Sequence, residues 1–268
     1  MKRWMTDRAP PPYAPPLNLG PRGDLFVGWA DPGPATRRNL LLTGLGMAVA
    51  GGAAAAITGP LGFAPGAGRW DPSAIKSWSG LLILDPYPTL VWRDASGADH
   101  AALLGCPDKC GVRAQVEQFA DRAVTIRGSL IERSGLKMIA ATLEPGWIKP
   151  QGAATAIPAS AAPSPLGTVS LQGELMDAKC WLGAMRPGEG LTHRSCAILC
   201  VRMGLPLLFV AGPPGGRRRA FVAVDQNGAP FDESVLPFVA DPVRVSGQAL
   251  SWRGWPRLSF PVSALSRL

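Results

Sequence analysis

Three of the chain's five cysteines and one of its two histidines fall within residues 171–204, LQGELMDAKCWLGAMRPGEGLTHRSCAILCVRMG. A helix capped by Thr192 and ended by Gly204 places His193, Cys196 and Cys200 at i, i+3 and i+7, on one face. Cys180 lies upstream on a loop containing Gly and Pro that can fold back over that face. Thiolates and imidazole are soft to borderline ligands, so Cys180, His193, Cys196 and Cys200 are the candidate ligand set for zinc or copper. Cys196 and Cys200 stand one turn apart, close enough for two thiolates on one ion, with Cys180 as the third ligand. His193 is roughly 10 Å from Cys200 along an axis rising 1.5 Å per residue. It joins the same ion only if the helix begins after it or unwinds. Met176, Met185 and Met203 are close in sequence, which also suits copper(I).

The same cysteines admit a second reading. In an oxidising compartment thiols pair by default. Cys106 and Cys110 would close a small loop, and Cys180 would pair with Cys196 or Cys200. A bond between Cys196 and Cys200 inside a regular helix fits poorly, and an odd total leaves one thiol over. Metal and disulfide readings both stand at this point. Other chemistry is less well served. A c-type haem needs Cys-x-x-Cys-His, which does not occur, and an iron–sulfur cluster on the three cysteines needs His193 as its fourth ligand. There is no Gly-x-Ser-x-Gly and no Gly-rich phosphate loop, so an enzyme is not expected. Glu174 and Asp177 lie near enough to support the ligands or act as a base, while Asp177 also suits a plain turn.

The elements that must hold this stretch are β-rich. With 32 Gly and 28 Pro in 268 residues the chain cannot be mostly helix. Residues 1–38 form a Pro-rich polar arm without core-forming periodicity. Arg37-Arg38-Asn39-Leu40-Leu41-Leu42 is similar to a twin-arginine export signal, and residues 40–57 carry no charge. Basic residues precede that run, so residues 39–60 are expected to be a retained transmembrane anchor in a bacterial inner membrane. The N-terminus is then cytoplasmic and the bulk of the chain periplasmic. The net charge of +8 comes mostly from scattered arginines. The one tight run, Arg217 to Arg219, has no interleaved aromatics, so no nucleic-acid partner is expected. The expected partners are the membrane and other subunits of a membrane complex.

Beyond the anchor the pattern occurs twice. Residues 70–148 read as three strands, a short helix and two strands. An Ala/Pro linker, 149–165, follows, and residues 166–268 repeat the order with matching turns and glycines. Five strands with a helix between the third and fourth is the order of an OB-type barrel. The expected fold is therefore mainly β, two tandem OB-like five-stranded barrels after one N-terminal transmembrane helix. Between Asp177 and Pro206 the second copy carries 28 residues where the first has Pro86 and Tyr87. The Cys/His stretch is thus an insertion in the first loop of the second module.

The run Gly173-x3-Asp177-x2-Cys180, then His193-x2-Cys196-Ala197-x2-Cys200 and Gly204, resembles poorly characterised bacterial exported OB-like proteins. The resemblance covers the C-terminal half and implies export and fold without an activity. The loop from Cys180 to His193 is longer than that pattern implies. Cys106-x3-Cys110 is similar in spacing to the thiols of respiratory copper-delivery proteins. Together these features predict a non-catalytic, membrane-anchored accessory or assembly subunit of a larger, respiratory-type membrane complex. The alternative is a periplasmic zinc or copper protein using the Cys/His cluster. Trp78, Trp92, Trp181, Trp252 and Trp255 are candidate interface anchors or core residues.

Overall fold

The computed structural model describes residues 33–58, 68–152, 163–213 and 218–268. The chain divides into two units, Met1–Gly62 and Phe63–Leu268. In the first unit, α1 spans Pro34–Thr58. Proline is favoured at the opening turn of a helix because its missing N–H would have no partner there. Leu41, Leu42, Leu45, Met47 and Val49 are all exposed, so the helix shows solvent an apolar surface rather than a polar face. No helix among the described residues is long and apolar enough to cross a membrane. The expected arm, through residue 32, lies outside the described residues.

In the second unit the first barrel comprises β1 (Arg69–Ile83), β2 (Thr89–Arg93), β3 (Asp99–Gly105), the short α2 (Arg113–Val116), β4 (Ala123–Arg133), β5 (Leu136–Ala141) and β6 (Ile148–Pro150). The strand order β1-β2-β3-β5-β4 closes through β1–β4 pairing. The second barrel comprises β7 (Ser164–Asp177), β8 (Leu207–Ala211), β9 (Arg219–Val224), β10 (Val243–Ser251), β11 (Arg257–Ser259) and β12 (Leu265–Arg267). It closes in the same way, with β7-β8-β9-β11-β10 returning to β7. In each barrel the third and fifth strands run parallel, Ala102 opposite Lys137 in one and Val222 opposite Arg257 in the other. The chain is therefore mainly β, with two closed five-stranded barrels of OB-like order.

Matching glycines mark the bends. A Cβ on Gly80 would lie 2.4 Å from the Val91 oxygen, and one on Gly173 would lie 2.1 Å from the Val210 oxygen. Each first strand bends against its second at a place where only a hydrogen fits. β10 shows the period-two logic plainly: Val243 and Val245 point inward and Arg244 outward.

Several features differ from the sequence expectation. A sixth strand closes each half, β6 on the start of β4 and β12 on the start of β10. β1 begins at Arg69 rather than near residue 78, because its first part pairs with β4 across a register break between Trp70 and Ile75. Residues 149–150 and 164–165 of the expected linker are strand, and residues 153–162 lie outside the described residues. The two modules pack together within one compact unit. One continuous apolar cluster joins Ile83, Tyr87, Leu103 and Met138 of the first barrel to Leu175, Leu207 and Phe209 of the second. Trp181, Trp252 and Trp255 belong to this core, whereas Trp78 and Trp92 are half-buried, Trp92 stacked on His100 and Trp78 tilted against Trp92.

Candidate metal centre

The insertion starts where β7 ends, at Asp177. The Asp177 Oδ1 accepts the Cys180 backbone N–H at 2.8 Å, which caps the turn and fixes where the Cys180 side chain starts. A wide helical turn follows over Cys180–Ala184, broken by Gly183 at φ 142°. The chain then crosses to a 3-10 turn, Leu191–His193, and enters α3, Arg194–Arg202. At the far end Gly204 adopts φ 87°, and the Leu205 N–H donates to the Cys200 oxygen at 3.0 Å. That six-residue loop-back is how a left-handed glycine ends a helix.

These turns bring three sulfurs together. The Sγ atoms of Cys180, Cys196 and Cys200 all lie within 4.8 Å of one another. Cys180 and Cys200 are buried and Cys196 is partly exposed. All three are free thiols in this structure, without the Cys180 pairing weighed from the sequence. Cys106 and Cys110 do form a disulfide, as their spacing suggests.

His193 belongs to a second grouping. Its ring, Asp177 and Cys180 also offer ligand atoms within 4.8 Å of one another, and its Nε2–H donates to Asp177 Oδ2 at 3.2 Å. Both side chains are sealed, at 2% and 0% exposure. Capping of the helix by Thr192 is not observed. α3 begins only at Arg194 and its first residue is reached through the 3-10 turn without a side-chain cap, so His193 precedes the regular helix and turns toward Asp177.

The thiols influence one another. The Cys200 thiol is pushed down because the Cys180 S–H donates to its sulfur, with Cys196 adding to the effect. Cys180 is pushed up by that same bond and by burial. Cys196 is pushed up by burial, an effect opposed by Lys109. The three thiols therefore titrate as one coupled group.

Lys109, Lys179 and Trp70 escaped the sequence reading. Lys109 sits inside the Cys106–Cys110 loop of the first barrel, yet its ammonium donates to the Cys196 sulfur and is pushed up by that bond. Lys179 donates to the Pro107 oxygen and, at 2.6 Å, to the Asp108 oxygen. Its ammonium lies 4.9 Å from the centre of the Trp70 ring, and burial pushes its pKa down. The disulfide loop of one barrel thus roofs the thiols of the other. Between them lies a cavity of about 510 Å3 reached by Cys180, Cys200, both lysines and Trp70. Only the charge of the Cys106–Cys110 loop could have hinted at this, since the contact spans the two modules.

Two further contacts seat the insertion. A Cβ on Gly111 would lie 2.2 Å from the Gly204 oxygen, and the Gly111 N–H donates to the Met203 oxygen at 2.8 Å. Only glycine permits that backbone approach. Behind the loop, Arg218 pairs with Glu174 and, at 2.8 Å, with Glu189. Arg133 donates to the Trp181 oxygen at 2.8 Å.

A mainly β protein with a three-thiol centre at a barrel junction is the class that fold and site define. No protein family matches the chain, and no curated protein does. Among solved structures, a deletion mutant of the single-stranded DNA-binding protein from Thermus aquaticus is similar at 14% identity and a TM-score of 0.22. That likeness covers 77% of this chain and 91% of the other. At that score it supports no conclusion, and the fold assignment rests on strand order and register alone.

Proposed function

We propose that the chain binds one thiophilic metal ion through Cys180, Cys196 and Cys200. The observation that carries this is the three-way convergence of the sulfurs within 4.8 Å. Three sulfurs bound about 2.3 Å from a central ion lie roughly 3.8–4.0 Å apart, inside that limit. A disulfide takes two of the three sulfurs and leaves one over, whereas one ion engages all three. Zinc and copper(I) both accept such a ligand set, and the cavity offers room for a further ligand. Asp177 and His193 support the centre from behind by fixing the start of the Cys180 turn.

The setting in this proposal is the outer side of a bacterial inner membrane, with residues 39–60 as anchor; part of that stretch lies outside the described residues, and the absence of a spanning helix holds for the described ones alone. Support comes from the paired arginines, the charge-free run after them, and the Cys106–Cys110 disulfide, a bond of oxidising compartments. Adjacent free thiols do not persist in such a compartment unless something occupies them, and a bound ion does so. The role is that of an accessory subunit that holds or hands over the ion within a membrane complex.

Metal analysis of the full chain, with thiol counting before and after chelation, tests the site. One ion per chain and three cysteines that react only after chelation are expected. A metal-free chain with no reactive thiols overturns the reading. Fractionation and co-purification from detergent test the setting, and a free monomer in the soluble fraction overturns it.

A further inference from the structure

The cavity beside the thiols contains one more sulfur. Met185, the residue that ends the Cys180–Ala184 turn, lines it together with Cys180 and Cys200. Met185 is 44% exposed, so it touches solvent and the cavity at once. Its neighbours in sequence serve otherwise: Met176 is sealed in the core, and Met203 ends α3. A thioether is neutral and polarizable, binds copper(I), and has little to offer zinc(II). Three rotatable bonds let the side chain reach inward or outward without moving the backbone.

We infer that the ion is copper(I) and that Met185 is its entry ligand. The thioether takes the ion at the cavity mouth and passes it to Cys180 and Cys200 on the inner wall, where Cys196 completes the set. No electron is transferred. Copper stays in the +1 state, the Met185–copper bond is replaced by copper–thiolate bonds, and the thiol protons leave to solvent. Lys109 and Lys179, which line the same cavity, offset the negative charge that accumulates as thiolates bind a singly charged ion. This inference rests on the three-thiol metal reading and adds the ion's identity and its route.

The test uses the full chain, Met185→Leu, and Met203→Leu as an exposed control. Copper(I) is presented as its bicinchoninate complex and zinc(II) as its pyridylazoresorcinol complex. Loss of each colour is followed by stopped flow. Met185→Leu is expected to slow copper(I) uptake by about tenfold or more, the usual scale for losing a supporting group at a metal site. Final copper stoichiometry, zinc uptake and the Met203→Leu rates are expected to stay at the unaltered chain's values. Copper(I) uptake by Met185→Leu at the unaltered rate overturns the inference. So does a chain that takes zinc(II) but not copper(I), a result that leaves the metal–thiolate reading standing. Uptake of neither metal removes both.

Discussion

Asp177→Ala removes two buried hydrogen bonds with one substitution. The carboxylate accepts the Cys180 N–H at 2.8 Å and the His193 Nε2–H at 3.2 Å, and no part of its side chain reaches solvent. Each buried donor left without a partner costs about 1–3 kcal/mol, so the pair predicts a loss of about 2–6 kcal/mol. Against a total stability of about 5–15 kcal/mol, that is a large fraction. Asp177→Asn keeps an oxygen for Cys180 but turns an NH2 toward His193, and its loss should be about half as large. Loosening the start of the Cys180 turn also misplaces one of the three sulfurs, and metal affinity should fall about 10- to 100-fold. Urea unfolding followed by tryptophan fluorescence, with and without metal, gives the first quantity, and chelator competition gives the second. If Asp177→Ala stays within about 0.5 kcal/mol of the parent and keeps its metal affinity, the account of how Cys180 is held is wrong.

Arg218→Met leaves buried Glu174 with only the Gly190 N–H and Glu189 with only Arg133 at 3.7 Å, and should cost about 3–5 kcal/mol, with partial recovery when both glutamates are changed to glutamine. Urea midpoints of the single and triple variants measure this. Gly111→Ala forces a methyl into the Gly204 oxygen, which should cost about 1–3 kcal/mol and speed thiol modification by a disulfide reagent as the roof lifts. Burial at the barrel junction pushes Tyr87 up to about 12, opposed by a hydrogen bond from the Leu207 N–H. Its folded pKa lies above the unfolded value of about 10. The contribution of neutral Tyr87 is therefore intact below pH 10 and is lost as pH climbs toward 12. Urea midpoints from pH 9 to 11.5 should fall in the parent and flatten in Tyr87→Phe.

The barrels were legible because their signals are local. Alternation at Val124 and Ile126, or at Val243 and Val245, sets an inward face, and glycines recurring at matching positions mark the same corners twice. Helical spacing likewise suggested that Cys196 and Cys200 would lie together, whereas His193, expected on the same helical face, lies before the helix and against Asp177. What the chain did not disclose depends on contacts between distant segments. β6 and β12 are three-residue strands whose identity comes from the edge they pair with. The shared core, with Tyr87 of one barrel against Leu207 of the other, has no periodic signature in either module. Lys109 looks like an ordinary loop charge until the other module's thiols are placed beneath it. The same holds for Gly111, whose need to be glycine arises from Gly204.

The roof formed by the Cys106–Cys110 loop has an evolutionary consequence. Two copies of a unit ordinarily drift apart, one free to change while the other keeps its task. Here one half supplies the three thiols and the other a covalently stitched lid, so the proposed site cannot be inherited with either half alone. Exchanging either half with that of a distant cousin should give a chain that folds as two barrels and grips its ion poorly, unless both loops are carried across together.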